Sequence, residues 1–314
     1  RPWRSINAAA GVSADSMRPV RAARRDSMTA PSNDTAAAGP ARAGGDLGIR
    51  VASALVLAPV VLAAVWIGCW CCEYLLEIAS VLNCLELSAD LFDSEIRRKA
   101  VLLAVTALAA GALASAGLAS AALAAGAAGL AFALAARSWT REPLWPAAVA
   151  YPYLILPLVA LIWLRADANL GLAVVVWLLA VVWAIDICAY FAGRLIGGPK
   201  LAPSISPKKT WAGLLGGMAG AVTVAVAASV WIGSGSAVIL ALIAAGLTIL
   251  EQAGDFAESA LKRRAGVKDS GTLIPGHGGI LDRVDGLVAV ALGAAILALV
   301  NNAAHPAAGV LIWP

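Results

Sequence analysis

Acidic side chains recur at helical spacing in the last third of the chain. Glu251, Asp255, Glu258 and Lys262 are spaced four, three and four residues apart, so a helix places all of them on one face. Three carboxylates on one face repel one another unless a cation lies among them. Mg²⁺ is the natural candidate, because this hard ion takes carboxylate oxygens together with the oxygens of substrate phosphates. The stripe therefore predicts a magnesium site.

A glycine-rich turn and a second acidic pair follow this stripe. Asp282 and Asp285 lie three residues apart, so they too converge on a helix. His277 precedes Gly278 and Gly279, and glycines remove side chains where a backbone must approach a ligand closely. Such turns and helix N-termini present N–H groups to phosphate. Two structural alternatives remain: the acids cap the next helix, and His277 only shapes the turn.

Basic and hydroxyl side chains cluster in an earlier polar loop. Two ammonium groups and two hydroxyls flank a proline-set turn and suit phosphate oxygens; they belong to Ser206, Lys208, Lys209 and Thr210. If the preceding helix continues past Asp186, then Asp186, Tyr190 and Arg194 share one face. The alternative is a basic loop that only fixes membrane topology.

The elements that carry these residues are membrane helices. The chain has 314 residues, of which 61% are hydrophobic and 13% charged, and the apolar residues form long continuous runs. Alternating segments of a β-barrel are absent from the sequence, so we predict an all-α, polytopic membrane helix bundle. About nine transmembrane helices are expected, at residues 50–69, 74–91, 100–117, 119–136, 145–164, 169–187, 212–232, 236–253 and 286–302.

The second of these spans is unusual because it contains Glu77 and Glu86. A carboxylate at a helix centre costs about 2.5–3.5 kcal/mol on insertion scales. We therefore predict that this span is short, tilted or re-entrant.

The distribution of basic residues predicts the orientation. All lysines and arginines except Arg165 fall on one side of the predicted spans, and that side is cytoplasmic by the positive-inside rule. Residues 1–48 are predicted to be a disordered cytoplasmic tail that is not a secretory signal, with Met17 and Met28 as candidate start sites. Residues 49–314 form the membrane domain. A formal net charge of +4 is too small to indicate nucleic-acid binding.

Two stretches resemble a known family. Residues 259–263, 268–269 and 275–285 closely resemble the hallmark stretch of phosphatidate cytidylyltransferases. Residues 206–211, with Asp186 upstream, are similar to the other cytoplasmic motif of that family. The specific match covers about residues 186–287 and extends more loosely, by hydropathy and span order, back to about residue 49.

The resemblance implies that CTP and phosphatidic acid react to give CDP-diacylglycerol and pyrophosphate in phospholipid biosynthesis, with Mg²⁺ as cofactor. By motif position, the implied metal ligands are Asp255, Glu258, Asp282 and Asp285. The same two acids of the second pair, with Lys262, Arg263 and His277, are the expected catalytic residues. The residues expected to bind the nucleotide are Ser206, Lys208, Lys209, Thr210, Lys268, Gly278, Gly279 and Arg283.

We therefore expect a multi-pass protein of the inner (plasma) membrane with its site facing the cytoplasm. CTP, phosphatidic acid and the bilayer are the expected partners, and a homodimer is an open alternative. Two rival functions remain: a CTP-dependent polyprenol or lipid kinase, which transfers the terminal phosphoryl group, and a membrane transporter. A transporter favours polar residues near the midplane, whereas here they cluster on one side.

Overall fold

The computed structural model describes residues 43–91, 96–140, 145–233, 235–265 and 279–314. The predicted tail lies outside the described residues up to position 42, and the helix that follows begins before the predicted boundary at residue 49. Lys268, His277 and Gly278 also lie outside them.

Helices make up nearly all of the described chain, because its apolar runs are long enough to satisfy their own backbone groups without water. In chain order they are α1 (Ala43–Ile67), α2 (Cys69–Leu91), α3 (Ile96–Ser115), α4 (Ala119–Thr140), α5 (Trp145–Arg165), α6 (Gly171–Leu195), α7 (Trp211–Ile232), α8 (Ala237–Ala265), α9 (Leu281–Asn301) and α10 (Pro306–Leu311). Within the described ranges, five of them, α5 to α9, contain segments long and apolar enough to cross a membrane. The chain is therefore a helical membrane protein, and the count of nine spans stays a prediction.

Two apolar cores hold the bundle together. One joins α6 to α7, α8, α9 and α10, and it includes Leu178 of α6, Ala225 of α7 and Ala294 of α9, whose side chains are all fully buried. The other core joins α2, α3, α4 and α5 and also takes in Leu281, the first residue of α9. The start of α9 therefore belongs to the second core, whereas the later part of the helix belongs to the first.

Glycines on one side of α7 allow it to pack closely against α6. A Cβ atom built on Gly220 would lie 2.6 Å from the sulfur of Cys188 and 2.9 Å from the carbonyl oxygen of Ala184. A Cβ atom on Gly217 would lie 3.1 Å from the carbonyl oxygen of Ile185. Small residues at such positions let two membrane helices approach to backbone contact.

A two-stranded antiparallel hairpin joins α6 to α7, where the sequence predicted only a loop. Its strands are β1 (Lys200–Ala202) and β2 (Ser206–Thr210). Pro207 is tolerated in β2 because a strand of a two-stranded sheet has a free edge that needs no N–H donor. The all-α class is thus confirmed apart from this hairpin. Thr210 ends β2 and caps α7, since its Oγ1 accepts a hydrogen bond from the N–H of Gly213 at 3.0 Å.

The helices that carry the predicted acidic residues are longer than expected. α8 continues to Ala265, past the predicted end at residue 253, and α9 begins at Leu281, before the predicted start at residue 286. The extension of α8 confirms the prediction, made from spacing, that Glu251, Asp255, Glu258 and Lys262 lie on one helix. α2 is a continuous helix of 23 residues, so it is not short, and its tilted or re-entrant arrangement stays a prediction.

Candidate active site

Three carboxylates from two helices converge in the described part of the chain. Asp255 and Glu258 lie on α8 and Asp285 lies on α9, and each offers an oxygen atom within 4.8 Å of the other two. Glu258 is 1% exposed, whereas Asp255 and Asp285 are half-buried. The convergence predicted from spacing along α8 is therefore completed by a residue from a second helix.

Two glycines permit this convergence. A Cβ atom on Gly254 would lie 2.6 Å from the Cβ of Ala289 and 3.3 Å from the carbonyl oxygen of Asp285. A Cβ atom on Gly286 would lie 3.0 Å from the side chain of Glu251, which is itself 4% exposed. The backbones of α8 and α9 thus approach closely at the level of the acidic side chains.

Lys262 bridges two of the acids. Its Nζ lies 2.6 Å from Oε2 of Glu258 and 2.6 Å from Oδ1 of Asp282. The other oxygen of Asp282 accepts a hydrogen bond from the N–H of Gly279 at 3.0 Å. Asp282 is thus bonded to protein groups beside the three-carboxylate cluster, and its predicted role as a metal ligand stays a prediction.

The hairpin contributes a cation to the same place. Lys209 forms an ion pair with Asp255, and its Nζ lies 5.0 Å from the ring centroid of Phe256. Because neighbouring residues of a strand point to opposite faces, Lys208 is exposed while Lys209 is half-buried. Ser206 is half-buried and Thr210 is buried as the cap of α7. Contacts of these residues with a phosphate stay predictions.

The condition set for a shared face after the sixth predicted span is met. α6 runs through Asp186, Tyr190 and Arg194, and the guanidinium of Arg194 donates a hydrogen bond to the Tyr190 hydroxyl at 2.9 Å. Asp186 lies within electrostatic range of Asp255, Lys209 and Arg283. This carboxylate therefore borders the cluster from a third helix.

Glu86 was not predicted as a site residue, although its carboxylate reaches the site from α2. Its Oε1 accepts a hydrogen bond from the N–H of Ile280 at 3.0 Å, and its Oε2 accepts one from the N–H of Leu281 at 2.9 Å. The sequence did contain an indication of this role, because a carboxylate inside an apolar span marks a functional site by default. The sequence did not reveal the partners of this carboxylate, because they lie 194 and 195 positions further along the chain.

Tyr153 of α5 was also missed. Its hydroxyl is buried and has no hydrogen-bond partner among the described residues. It lies within electrostatic range of the acids of α8 and α9. A tyrosine in an apolar helix gives no sequence signal that separates this position from an ordinary core residue.

The donor set fits a hard divalent cation. Oε1 of Glu258 is buried without a partner within the described residues, whereas Oε2 lies 2.6 Å from Nζ of Lys262. Buried carboxylate oxygens normally have partners, and oxygen atoms of this kind are the ligands that Mg²⁺ takes. Asp255, Glu258 and Asp285 therefore suit Mg²⁺, whose binding stays a prediction.

The remaining predicted residues lie near this cluster or outside the described ranges. Arg263 and Arg283 are exposed on α8 and α9, next in sequence to Lys262 and Asp282. Gly279 is buried and its N–H is engaged by Asp282. A phosphate would have to compete for that N–H group, so its predicted contact stays a prediction.

Fold and site together define a helical membrane protein. Its polar site is formed where several helices meet and is lined by carboxylates and lysine ammonium groups. A sequence model described as the cytidylyltransferase family matches residues 48–300, which is most of the chain. The chain belongs to this family.

Three relatives that this chain resembles are all named phosphatidate cytidylyltransferase. A phosphatidate cytidylyltransferase of Brucella melitensis is 52% identical over 167 residues, which cover 52% of this chain and 60% of that protein. One of Haemophilus influenzae is 35% identical over 170 residues, covering 51% of this chain and 59% of that protein. One of Pseudomonas aeruginosa is 44% identical over 121 residues, covering 38% of this chain and 44% of that protein. The chain thus spans 60% or less of the length of these relatives.

Proposed function

We propose that this chain is a phosphatidate cytidylyltransferase, which transfers CMP from CTP to phosphatidic acid and releases pyrophosphate. Membership of the cytidylyltransferase family and the names of the relatives support this function. The observation that carries it is the convergence of Asp255, Glu258 and Asp285 beside the ammonium groups of Lys209 and Lys262.

Catalysis of this reaction requires neutralisation of negative charge more than it requires proton transfer. An oxygen of the phosphatidic acid phosphate attacks the α-phosphorus of CTP, and the bond from that phosphorus to the oxygen bridging to the β-phosphate breaks. Pyrophosphate leaves with the electron pair of that bond. The second pKa of a phosphate monoester is about 6, so the attacking group is largely deprotonated without a strong general base. The small number of histidines in the chain, 2, is consistent with a reaction that needs no strong general base.

Different residues of the site would neutralise the negative charge in different ways. Asp255, Glu258 and Asp285 would hold Mg²⁺, with Asp282 as the further candidate ligand. When bound there, Mg²⁺ neutralises charge on phosphate oxygens as a Lewis acid. Lys209 and Lys262 supply fixed positive charge to phosphate oxygens of the substrates and of the leaving pyrophosphate.

Further basic and polar groups complete the proposed nucleotide site. We assign contacts with CTP to residues of the hairpin, of the segment between α8 and α9 and of the first turn of α9, and a supporting catalytic role to Arg263 and His277. The contact residues are Ser206, Lys208, Thr210, Lys268, Gly278, Gly279 and Arg283.

The proposed membrane arrangement fits two substrates of opposite solubility. Nine spans with a cytoplasmic N-terminus would put the hairpin, the end of α8 and the start of α9 on the cytoplasmic side of the inner membrane. There the diacyl substrate enters sideways from the bilayer, while CTP and pyrophosphate stay in water.

Labelled CTP tests this function directly. Membranes containing the expressed chain are incubated with phosphatidic acid, Mg²⁺ and CTP labelled at either the α- or the γ-phosphate. We expect the α-label to enter lipid and the γ-label to leave as pyrophosphate. Entry of the γ-label would indicate a lipid kinase, and entry of neither label into lipid would contradict both enzymes.

A further inference from the structure

We propose that Glu86 of α2 is a positioning residue that holds the first turn of α9 and thereby places Asp282 and Asp285 against α8. The activity part of this proposal rests on the proposed function. Its structural basis is the pair of hydrogen bonds that the Glu86 carboxylate accepts from the N–H groups of Ile280 and Leu281, at 3.0 and 2.9 Å.

The first N–H groups of a helix have no partner within the helix. Here carboxylates accept from three in succession, because the N–H of Gly279 donates to Asp282 and the next two donate to Glu86. A carboxylate at this end also interacts favourably with the helix dipole. The start of α9 is thus held by charge-assisted hydrogen bonds, which are stronger than neutral ones.

The apolar core gives the same turn a second anchor. The side chain of Leu281 is 1% exposed and belongs to the apolar core that contains Cys84 and Leu87 of α2. Glu86 lies between these two core residues in sequence, so its carboxylate projects from a well-anchored part of α2. Leu281 is therefore held through its backbone by Glu86 and through its side chain by the core that α2 shares with α3, α4 and α5.

The consequence for the site follows from helix geometry. Asp282 follows Leu281 directly, and Asp285 lies one helical turn further along α9. A shift or rotation of the first turn would therefore move both carboxylates relative to Asp255 and Glu258. Groups that orient metal ligands in this way typically change metal affinity or activity by about 10- to 100-fold when they are removed.

Variants of Glu86 test the proposal in lipid nanodiscs that contain phosphatidic acid. Glu86→Ala removes both acceptors, and Glu86→Gln keeps the side-chain length and one acceptor. The matched control is Glu77→Gln, because Glu77 lies on the same helix but packs against Gly111 of α3. We expect Glu86→Ala to raise the Mg²⁺ concentration for half-maximal activity and to lower kcat, each by about 10-fold or more. Glu86→Gln should show a smaller shift in the same direction and Glu77→Gln less than about 2-fold change.

Amide hydrogen exchange supplies a readout that does not need activity. Exchange in residues 279–286 should become faster in both Glu86 variants, while exchange in α7 stays at the wild-type rate. Unchanged exchange and Mg²⁺ dependence in Glu86→Ala would overturn the proposal. Faster exchange with wild-type Mg²⁺ dependence would overturn it too, because the turn would then not position the acids. A wild-type chain that makes no CDP-diacylglycerol would instead contradict the proposed function, and the exchange experiment would still decide the role of Glu86.

Discussion

The Nζ of Lys262 lies 2.6 Å from Oδ1 of Asp282, a residue 20 positions further along the chain. This ion pair joins the end of α8 to the start of α9, and the same ammonium group lies 2.6 Å from Glu258. The lysine is therefore both a link between the two helices and a positive charge in contact with a buried carboxylate.

Removing this charge should destabilise the protein as well as inactivate it. Lys262→Met leaves Glu258 buried without its cation, and breaking a buried pair by removing one partner costs about 3–5 kcal/mol. We expect a lower thermal unfolding temperature in detergent and loss of CDP-diacylglycerol synthesis. Adding Glu258→Gln should recover part of the unfolding temperature but no activity. An unfolding temperature equal to that of the wild type in Lys262→Met would show that the ion pair does not matter for folding.

The hairpin lysine that pairs with Asp255 should act on substrate binding. Lys209→Ala removes a positive charge at the carboxylate cluster, so we expect a KM at least about 10-fold higher for CTP or for phosphatidic acid, which corresponds to about 1.4 kcal/mol. Lys200→Ala is the matched control, because Lys200 is exposed on the neighbouring strand. Steady-state kinetics with each substrate varied in turn would measure both. Unchanged KM values for both substrates in Lys209→Ala would count against the assignment.

Close packing of α8 on α9 should be sensitive to a single methyl group. Gly254→Ala places a Cβ atom 2.6 Å from the Cβ of Ala289, and overpacking of this kind typically costs about 1–3 kcal/mol. Gly246→Ala on the same helix meets nothing within 4 Å, and it should be neutral or stabilise by up to about 1 kcal/mol through helix propensity.

Thermal unfolding and CDP-diacylglycerol synthesis of the two alanine variants provide the comparison. Only Gly254→Ala should lose stability and activity, because only there must the helices that carry the acids move apart. Equal behaviour of the two variants would mean that the approach of α8 to α9 at Gly254 does not set the geometry of the site.

Much of the site could be predicted because its signals are local. Asp255, Glu258 and Lys262 fall on one face of α8 by spacing alone, and the structure brings this face to Asp285. The shared face of Asp186, Tyr190 and Arg194 was predicted only on the condition that the helix continues past Asp186, and α6 does continue to Leu195. Periodicity within one helix is visible in sequence, and these predictions needed nothing else.

Contacts between distant segments could not be predicted in the same way. Glu86 and Leu281 are 195 positions apart, and a lone carboxylate does not indicate which N–H groups it will meet. The predicted membrane spans stopped short of these helices, at residue 253 for α8 and at residue 286 for α9, because charged residues lower the local hydropathy. The hairpin was missed because its strands are short and contain Pro207.

Binding of a divalent cation tests the central claim most directly. Mn²⁺, a spectroscopic substitute for Mg²⁺, would be titrated into the purified protein in nanodiscs with CTP present, and free Mn²⁺ would be followed by electron paramagnetic resonance. Wild-type protein should bind Mn²⁺, and Asp285→Asn should bind it at least about 10-fold more weakly while remaining folded. Equal Mn²⁺ affinity of the wild type and the variant would contradict a metal site formed by Asp255, Glu258 and Asp285.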